Sequence, residues 1–383
     1  MNFEFATAGR IVFGWEAFEQ LPRMIKELGS KALLVLGREG RYGEVLSARL
    51  ADLDIASLAF RVEGEPRFQT VEAATAMARA EDCNVVVAIG GGSVIDAGKA
   101  AAAMATQYGS LLDHLEVVGA GRPLTASPLP FIAIPTTAGT GSEVTRNAVL
   151  DVPEHRVKVS LRSPDMLPRV ALVDPALTLT VPPEVTAYTG MDALTQLIEP
   201  FVSLAANPMT DGLCREGITR AARSLEAAFR DGSNREARED MAVASLLGGL
   251  ALANAKLGAV HGFAGVLGGM FGLHHGAICA RLLPFVMEAN IAELQIRGDG
   301  DQTMRRYREV ATMLTGDPNA EVHDGVAWVR DLCARLAIAP LRLNASQADQ
   351  DAVIAGAQRA SSMKGNPVPL SEDRLRAILA AAD

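Results

Sequence analysis

Up to about residue 180 the chain alternates between short β-branched runs and helical stripes. The runs cover 31–37, 55–60, 84–89, 131–134 and 170–173, with helical patterns such as 70–81 and 93–105 between several of them. A strand with one wet face alternates apolar and polar side chains, and a strand covered on both faces does not. These runs do not alternate strictly. They predict strands buried on both faces, hence a mostly parallel sheet with helices packed against it. The segment 146–161 differs, because it alternates and carries charge as an edge hairpin does. After Val181-Pro182-Pro183 the strand signals stop. From Glu184 onward only helical periodicity is left, punctuated by Pro200, Pro208, Gly232, Pro284, Pro340 and Gly365-Asn366-Pro367. The pattern predicts an α/β domain over 1–181 and an all-helical domain over 182–383. A cleft between two such domains is a usual place for a ligand.

Composition narrows the class. Hydrophobic residues make up 49% and charged residues 21% of the 383 positions, which is globular and argues against disorder. The formal charge is −9 and no long basic run occurs, so neither nucleic acid nor an anionic membrane is an expected partner. The opening MNFEFATAGR has early acid and no positive region before an apolar stretch, unlike a signal peptide. The most apolar stretch, 241–273, is interrupted by Asn254, Lys256 and His261, and it predicts buried helices, not a membrane span. The four cysteines, Cys83, Cys214, Cys279 and Cys333, form no CxxC, and they read as reduced core thiols of a cytoplasmic protein.

Two loops carry candidate binding chemistry. The strand at 84–89 runs into Gly90-Gly91-Gly92-Ser93-Val94-Ile95-Asp96 and then Lys99. Glycines let a backbone approach an anion closely, and the free N–H groups of a helix's first turn point at it. Ser93 and Asp96 fit an N-cap and its acidic partner. A plain tight turn accounts for the same residues, and the GxGxxG dinucleotide fingerprint is absent. After 131–134 comes Pro135-Thr136-Thr137-Ala138-Gly139-Thr140-Gly141-Ser142-Glu143-Val144-Thr145. So many small hydroxyls can bond a ribose, an amide or a phosphate, or cap their own backbone. Both loops lie at carboxyl ends of predicted strands, where open α/β sheets bind ligands.

The helical half offers a different chemistry. Asp192 and Gln196 are four apart and share one helix face. Three of the six histidines, His261 and His275 among them, fall within 261–275 amid apolar, glycine-rich sequence. A carboxylate and two imidazoles suffice to hold a divalent metal with open positions. The alternative is hydrogen-bonded core histidines and a helix-capping Asp192.

Taken together, GGGSVIDAGKA (90–100), PTTAGTGSEVT (135–145), VDPALTLTVPP (173–183), GMDALTQLIEP (190–200) and the stretch 257–284 resemble the iron-containing, or group III, alcohol dehydrogenase family. The resemblance covers essentially the whole chain. It implies a Rossmann-like dinucleotide-binding α/β domain, mostly parallel, followed by an all-α domain, the architecture of dehydroquinate synthase. It implies an NAD(P)-dependent oxidoreductase interconverting an alcohol with an aldehyde or ketone, assisted by Fe²⁺ or Zn²⁺. Carried over by position, Gly91, Gly92, Ser93 and Asp96 would hold the pyrophosphate, and Thr136, Thr137, Thr140, Thr145 and Lys158 would line the rest of the groove. Asp192, His261 and His275 match three of four metal ligands and would be the catalytic residues. The fourth ligand is normally a histidine four after the aspartate, and here it is Gln196, a neutral and weaker donor. A further histidine common in the family falls on Gly265. Many NAD-using relatives end the first strand with an aspartate that binds the ribose diol. Here Gly37-Arg38 stands there, which suits the 2′-phosphate of NADP as well as NAD.

Two other readings remain open at the level of sequence. One is a metal-independent reductase resembling maleylacetate reductases, with His261 or His275 stabilising an oxyanion. The other is a cofactor-binding protein without turnover, motivated by Gln196 and Gly265. Phe263, Leu267 and Phe271 are expected to line an apolar pocket for a small or medium alcohol or aldehyde. The resemblance also implies a homo-oligomer, a dimer or larger.

Overall fold

The computed structural model describes residues 2–298 and 300–383. The described residues divide into two compact units: unit 2 holds Ala6–Thr137 and Gly141–Thr178, and unit 1 holds the residues before Ala6, Ala138–Thr140 and the chain from Leu179 to Asp383.

Unit 2 contains β1 (Ile11–Phe13), α1 (Leu21–Leu28), β2 (Lys31–Gly37), α2 (Gly43–Ala51), β3 (Ala56–Val62), α3 (Phe68–Ala80), β4 (Val85–Gly90), α4 (Gly92–Met104) and β5 (Phe131–Pro135). The hairpin β6 (Asn147–Val152) and β7 (Val157–Arg162) and the strand β8 (Val170–Val173) complete it. Six strands form one parallel sheet in the order β1-β8-β5-β4-β2-β3. Alternate residues of the central strands supply two cores. Leu33, Val35, Val86 and Ala88 face one side, and Leu34, Leu36, Val87 and Ile89 face the other with α1 and α2. That two-sided burial is why the runs lack alternation. The expected edge hairpin is a separate antiparallel pair. Strand β1 escaped the sequence reading, because three residues at the sheet edge carry too little periodicity.

The chain passes from β2 outward to β3, then crosses back over β2 to β4. The strand order therefore reverses between β2 and β4. At such a switch point the loops leaving neighbouring strands part and leave a crevice.

Unit 1 is helical: α5 (Pro183–Val202), α6 (Pro208–Arg230), α7 (Arg235–Ala255), α8 (Ala259–Phe271), α9 (His275–Arg297), α10 (Asp301–Thr315), α11 (Val322–Arg335), α12 (Gln347–Arg359) and α13 (Glu372–Ala382). Pro208 opens α6 as expected, behind an Asn207 capping box. Pro200 and Pro284, expected as breaks, lie inside α5 and α9. A buried proline costs a helix about 3 kcal/mol. The packing of these two long helices in one apolar core offsets that. Among the described residues no single helix is long and apolar enough to cross a membrane, and the 241–273 stretch folds into two helices bent by 101°.

Candidate metal centre and cofactor loops

In unit 2 the loops after β2, β4 and β5 leave the same edge of the sheet. Gly90 pairs with Pro135 in register, and Thr136 N–H donates to Gly90 O at 2.9 Å. A Cβ on Gly90 would lie 2.5 Å from Val94 Cγ2, so only glycine lets the turn fold back onto α4. A Cβ on Gly91 would touch the Thr137 side chain at 3.5 Å, which sets the glycine turn and the threonine loop side by side. Gly37 stands next along β2, with Val94 Cγ2 3.8 Å from where its Cβ would be. Arg38 follows it, exposed. Gly91, Gly92, Ser93, Thr136, Thr137, Gly37 and Arg38 are thus gathered at the switch point.

The capping expectation is corrected. Gly91, extended at φ −72°, is the N-cap of α4, and no side chain caps the helix. Ser93 lies inside the first turn, so its hydroxyl does not take the place of a cap for the N–H groups there.

Asp96, Thr145 and Lys158 are engaged by the protein itself. Asp96 accepts hydrogen bonds from Ser142 Oγ and, at 2.9 Å, from Val149 N–H. Buried Lys99 reaches Ser142 O at 2.7 Å, Thr145 Oγ1 at 3.0 Å and Asn147 O at 2.8 Å. Lys158 has only 6% of its side chain exposed and pairs with Glu65 at 3.1 Å. Asp96 and Lys99 pin the hydroxyl loop to α4 from beneath. Burial pulls the Lys99 ammonium down to about 8 and pushes the Glu143 carboxyl up to about 7. Thr140 belongs to a short stretch, 138–140, that packs with unit 1. There a Cβ on neighbouring Gly139 would lie 2.6 Å from Thr189 Cβ.

In unit 1, three helices bring five polar side chains together. Asp192 and Gln196 lie one turn apart on α5, His261 is in the first turn of α8, and His275 and Cys279 lie one turn apart on α9. The approach of α9 depends on Gly276, where a Cβ would sit 2.4 Å from Tyr188 O on α5. His261 Nε2 is 3.4 Å and His275 Nε2 is 3.8 Å from Asp192 Oδ1. Cys279 Sγ is 3.9 Å from His261 Nε2. One donor atom from each of Asp192, His261, His275 and Cys279 falls within 4.8 Å of every other. His274, the N-cap residue of α9, instead sets its ring 5.5 Å from that of Tyr188, tilted by 35°.

Relatives are found for the sequence of each unit. Residues 8–175 match the model of the iron-containing alcohol dehydrogenases, and residues 186–382 match the C-terminal model of the Fe-containing alcohol dehydrogenase family. The chain belongs to the iron-containing alcohol dehydrogenase family. Long-chain-alcohol dehydrogenase 1 of Geobacillus thermodenitrificans is 41% identical over 298 residues, 73% of each chain. The 1,3-propanediol dehydrogenase of Klebsiella pneumoniae is 42% identical over 271 residues, 69% of this chain and 68% of that one. A crystal structure of a 1,3-propanediol oxidoreductase matches over 100% of both chains with a TM-score of 0.91 and 33% identity. An alcohol dehydrogenase from Oenococcus oeni matches over 100% of both with a TM-score of 0.90 and 29% identity. The expected α/β-plus-helical architecture and the reaction class, nicotinamide-dependent oxidoreduction of alcohols and aldehydes, hold for this iron-containing alcohol dehydrogenase.

The donor set fits a divalent cation. Asp192 is 2% exposed, yet its Oδ1 has no hydrogen-bond partner, and neither has the buried Oε1 of Gln196. Gln196 Nε2 donates to Asp192 Oδ2 at 3.0 Å, which turns Oδ1 toward the imidazoles. Two orphaned buried acceptors in one place cost several kcal/mol, of order 1–3 each, unless something positive meets them. Burial raises the Asp192 carboxyl, but the imidazoles of His275 and His261 outweigh it and hold the group below its ordinary range.

Two residues of the site were missed from sequence. Glu199, on α5, accepts Val260 N–H and His261 Nδ1–H, each at 2.7 Å. That bond keeps a proton on Nδ1 and turns Nε2 of His261 toward the cluster. Cys279 is the free, buried core thiol that was expected, and its Sγ also stands among the donors. Phe263 and Leu267 are corrected in the other direction. They are fully buried in the unit 1 core and line no pocket, while Phe271 packs at its margin. Gly265 faces open space, with nothing within 4 Å of where its Cβ would be.

Proposed function

We infer that this enzyme is a metal-assisted dehydrogenase of small or medium alcohols and aldehydes that accepts NADP(H) as well as NAD(H). The buried cluster with its two orphaned acceptors supports the metal, with Asp192, Gln196, His261 and His275 as the residues that hold it. A divalent cation there supplies Lewis acidity toward an alcohol or carbonyl oxygen, and a nicotinamide supplies or takes the hydride. Glu199 keeps the His261 proton on Nδ1, and Gln196 holds the Asp192 carboxylate in one orientation. Glycine at 265 offers no side chain to take the alcohol proton.

The NADP reading rests on the switch point. A carboxylate from the end of β2 would repel a 2′-phosphate, and Gly37 offers none. Arg38 is exposed beside it, and the Arg61 guanidinium lies 3.2 Å from where a Cβ on Gly40 would be. Gly91, Gly92, Ser93, Thr136 and Thr137 are the proposed pyrophosphate and groove residues. Thr140 is proposed with them. Asp96, Thr145 and Lys158 shape the groove through the contacts described above. The reading also has the enzyme act in the cytoplasm, supported by four buried, free cysteines, and as a homo-oligomer, which light scattering tests.

The deciding experiment assays short aldehydes with NADPH and NADH after chelation and after adding Fe²⁺ or Zn²⁺. Metal-dependent turnover with both cofactors is expected. Full activity after chelation would turn the reading to the metal-independent reductase, and a strong NADH preference would remove the NADP part alone.

A further inference from the structure

On α5 the family's imidazole has given way to the amide of Gln196, which weakens the site by one good donor. On α9, one turn beyond His275, the chain carries a thiol in the same cluster. Residues four apart on a helix share a face, so His275 and Cys279 present their donors together. The distances suit a shared ion. With bonds of about 2.0–2.2 Å to N and O and about 2.3 Å to S, tetrahedral donors stand about 3.4 Å apart for N and O and about 3.6 Å for N and S. The observed separations are 3.4 and 3.8 Å for the imidazoles against Asp192 Oδ1 and 3.9 Å for Cys279 Sγ against His261 Nε2. An ordinary buried thiol finds a backbone acceptor, as Cys333 Sγ does in donating to Ala280 O at 3.3 Å. Cys279 Sγ instead lies within 4.8 Å of a donor atom from a carboxylate and from each of two imidazoles, 3.9 Å from His261 Nε2.

We propose that Cys279 is a metal ligand, its thiolate completing a shell with Asp192, His261 and His275 in place of the missing imidazole. The inference rests on the metal-assisted reading above. Coordination breaks the S–H bond, forms a metal–sulfur bond and releases the proton to solvent, with no change of oxidation state. Thiolate is a soft donor, and with three N and O donors it shifts preference from Fe²⁺ toward Zn²⁺. Gln196 then acts mainly by holding Asp192.

The test is zinc K-edge X-ray absorption on the full-length protein loaded with Zn²⁺, together with the near-ultraviolet spectrum of the Co²⁺ form. The wild type is expected to show one sulfur at about 2.3 Å and a thiolate-to-cobalt charge-transfer band. Cys279→Ser loses both features and at least about tenfold in Zn²⁺ affinity, with a smaller loss for Fe²⁺. Gln196→Ala keeps both features. A metal-bound wild type without sulfur in its shell overturns the inference and leaves the metal-assisted reading standing. A wild type that binds no metal overturns both. The wild-type spectra decide the matter even where Cys279→Ser fails to fold.

Discussion

Replacing Glu199 by glutamine tests how the helical unit prepares His261. The carboxylate accepts two hydrogen bonds, from Val260 N–H and His261 Nδ1–H, both at 2.7 Å and both buried. A glutamine of the same shape has one oxygen and one NH₂, so one of the two donors must face another donor. If Val260 loses its acceptor, the first turn of α8 keeps an unsatisfied N–H, which costs about 1–3 kcal/mol. If His261 loses it, the ring proton moves to Nε2 and the lone pair leaves the cluster. Removing the outer partner of a ligating histidine typically lowers metal affinity about 10- to 100-fold, or roughly 1.4–2.8 kcal/mol.

The two branches separate by assay. Urea unfolding of the chelated protein reads the first, and competition with a chromophoric chelator for Zn²⁺ reads the second. Glu199→Gln is expected to stay folded and to lose metal affinity, and Glu199→Ala to lose more of both. A folded Glu199→Gln protein with wild-type metal affinity refutes the argument, because the carboxylate would then be a packing group and His261 would be oriented by something else.

Gly37→Asp is expected to cut kcat/KM with NADPH by about tenfold or more relative to NADH, since it sets a carboxylate where the 2′-phosphate would lie; an unchanged cofactor ratio would place the ribose elsewhere. Gly276→Ala puts a methyl 2.4 Å from Tyr188 O, so a loss of about 1–3 kcal/mol in stability together with weaker metal binding is expected, and a loss of neither would deny that helix contact its role. The Glu143 carboxyl is raised from 4.5 to about 7 by burial, so the folded state holds more protons than the unfolded one across that window and stability falls as pH rises through it. Glu143→Gln removes this penalty, and its stability relative to the wild type should be greater at pH 8 than at pH 5 in urea titrations; parallel profiles would contradict the burial argument.

The parts of the fold that were legible in the sequence were those in which local pattern and tertiary environment agree. The strands of the central sheet are buried on both faces and therefore read as continuous apolar runs. The hairpin at β6 and β7 alternates because its faces differ. Pro200 and Pro284 misled because a local breaker was overruled by long-range packing. Phe263 and Leu267 misled in a related way. An apolar stripe at a spacing of four marks a buried face without saying whether a ligand or another helix covers it. Here helices cover it.

The candidate site divides along the same line. Asp192 and Gln196 were readable as a pair because they are one helical turn apart. Glu199 was not, because its partner His261 is 62 residues away and only the packing of α8 on α5 joins them. Cys279 obeyed the same four-residue rule from His275, yet its apolar neighbours made it look like core. The physical distinction lies in what surrounds the sulfur. A thiol among carbon atoms gains by burial, whereas Cys279 is buried beside a carboxylate whose Oδ1 has no hydrogen-bond partner, and such burial is favourable only if something positive meets that oxygen. Seen this way, the amide on α5 and the thiol on α9 are one change in donor chemistry distributed over two helices. The orphaned oxygens of Asp192 and Gln196 mark the place where that change is felt.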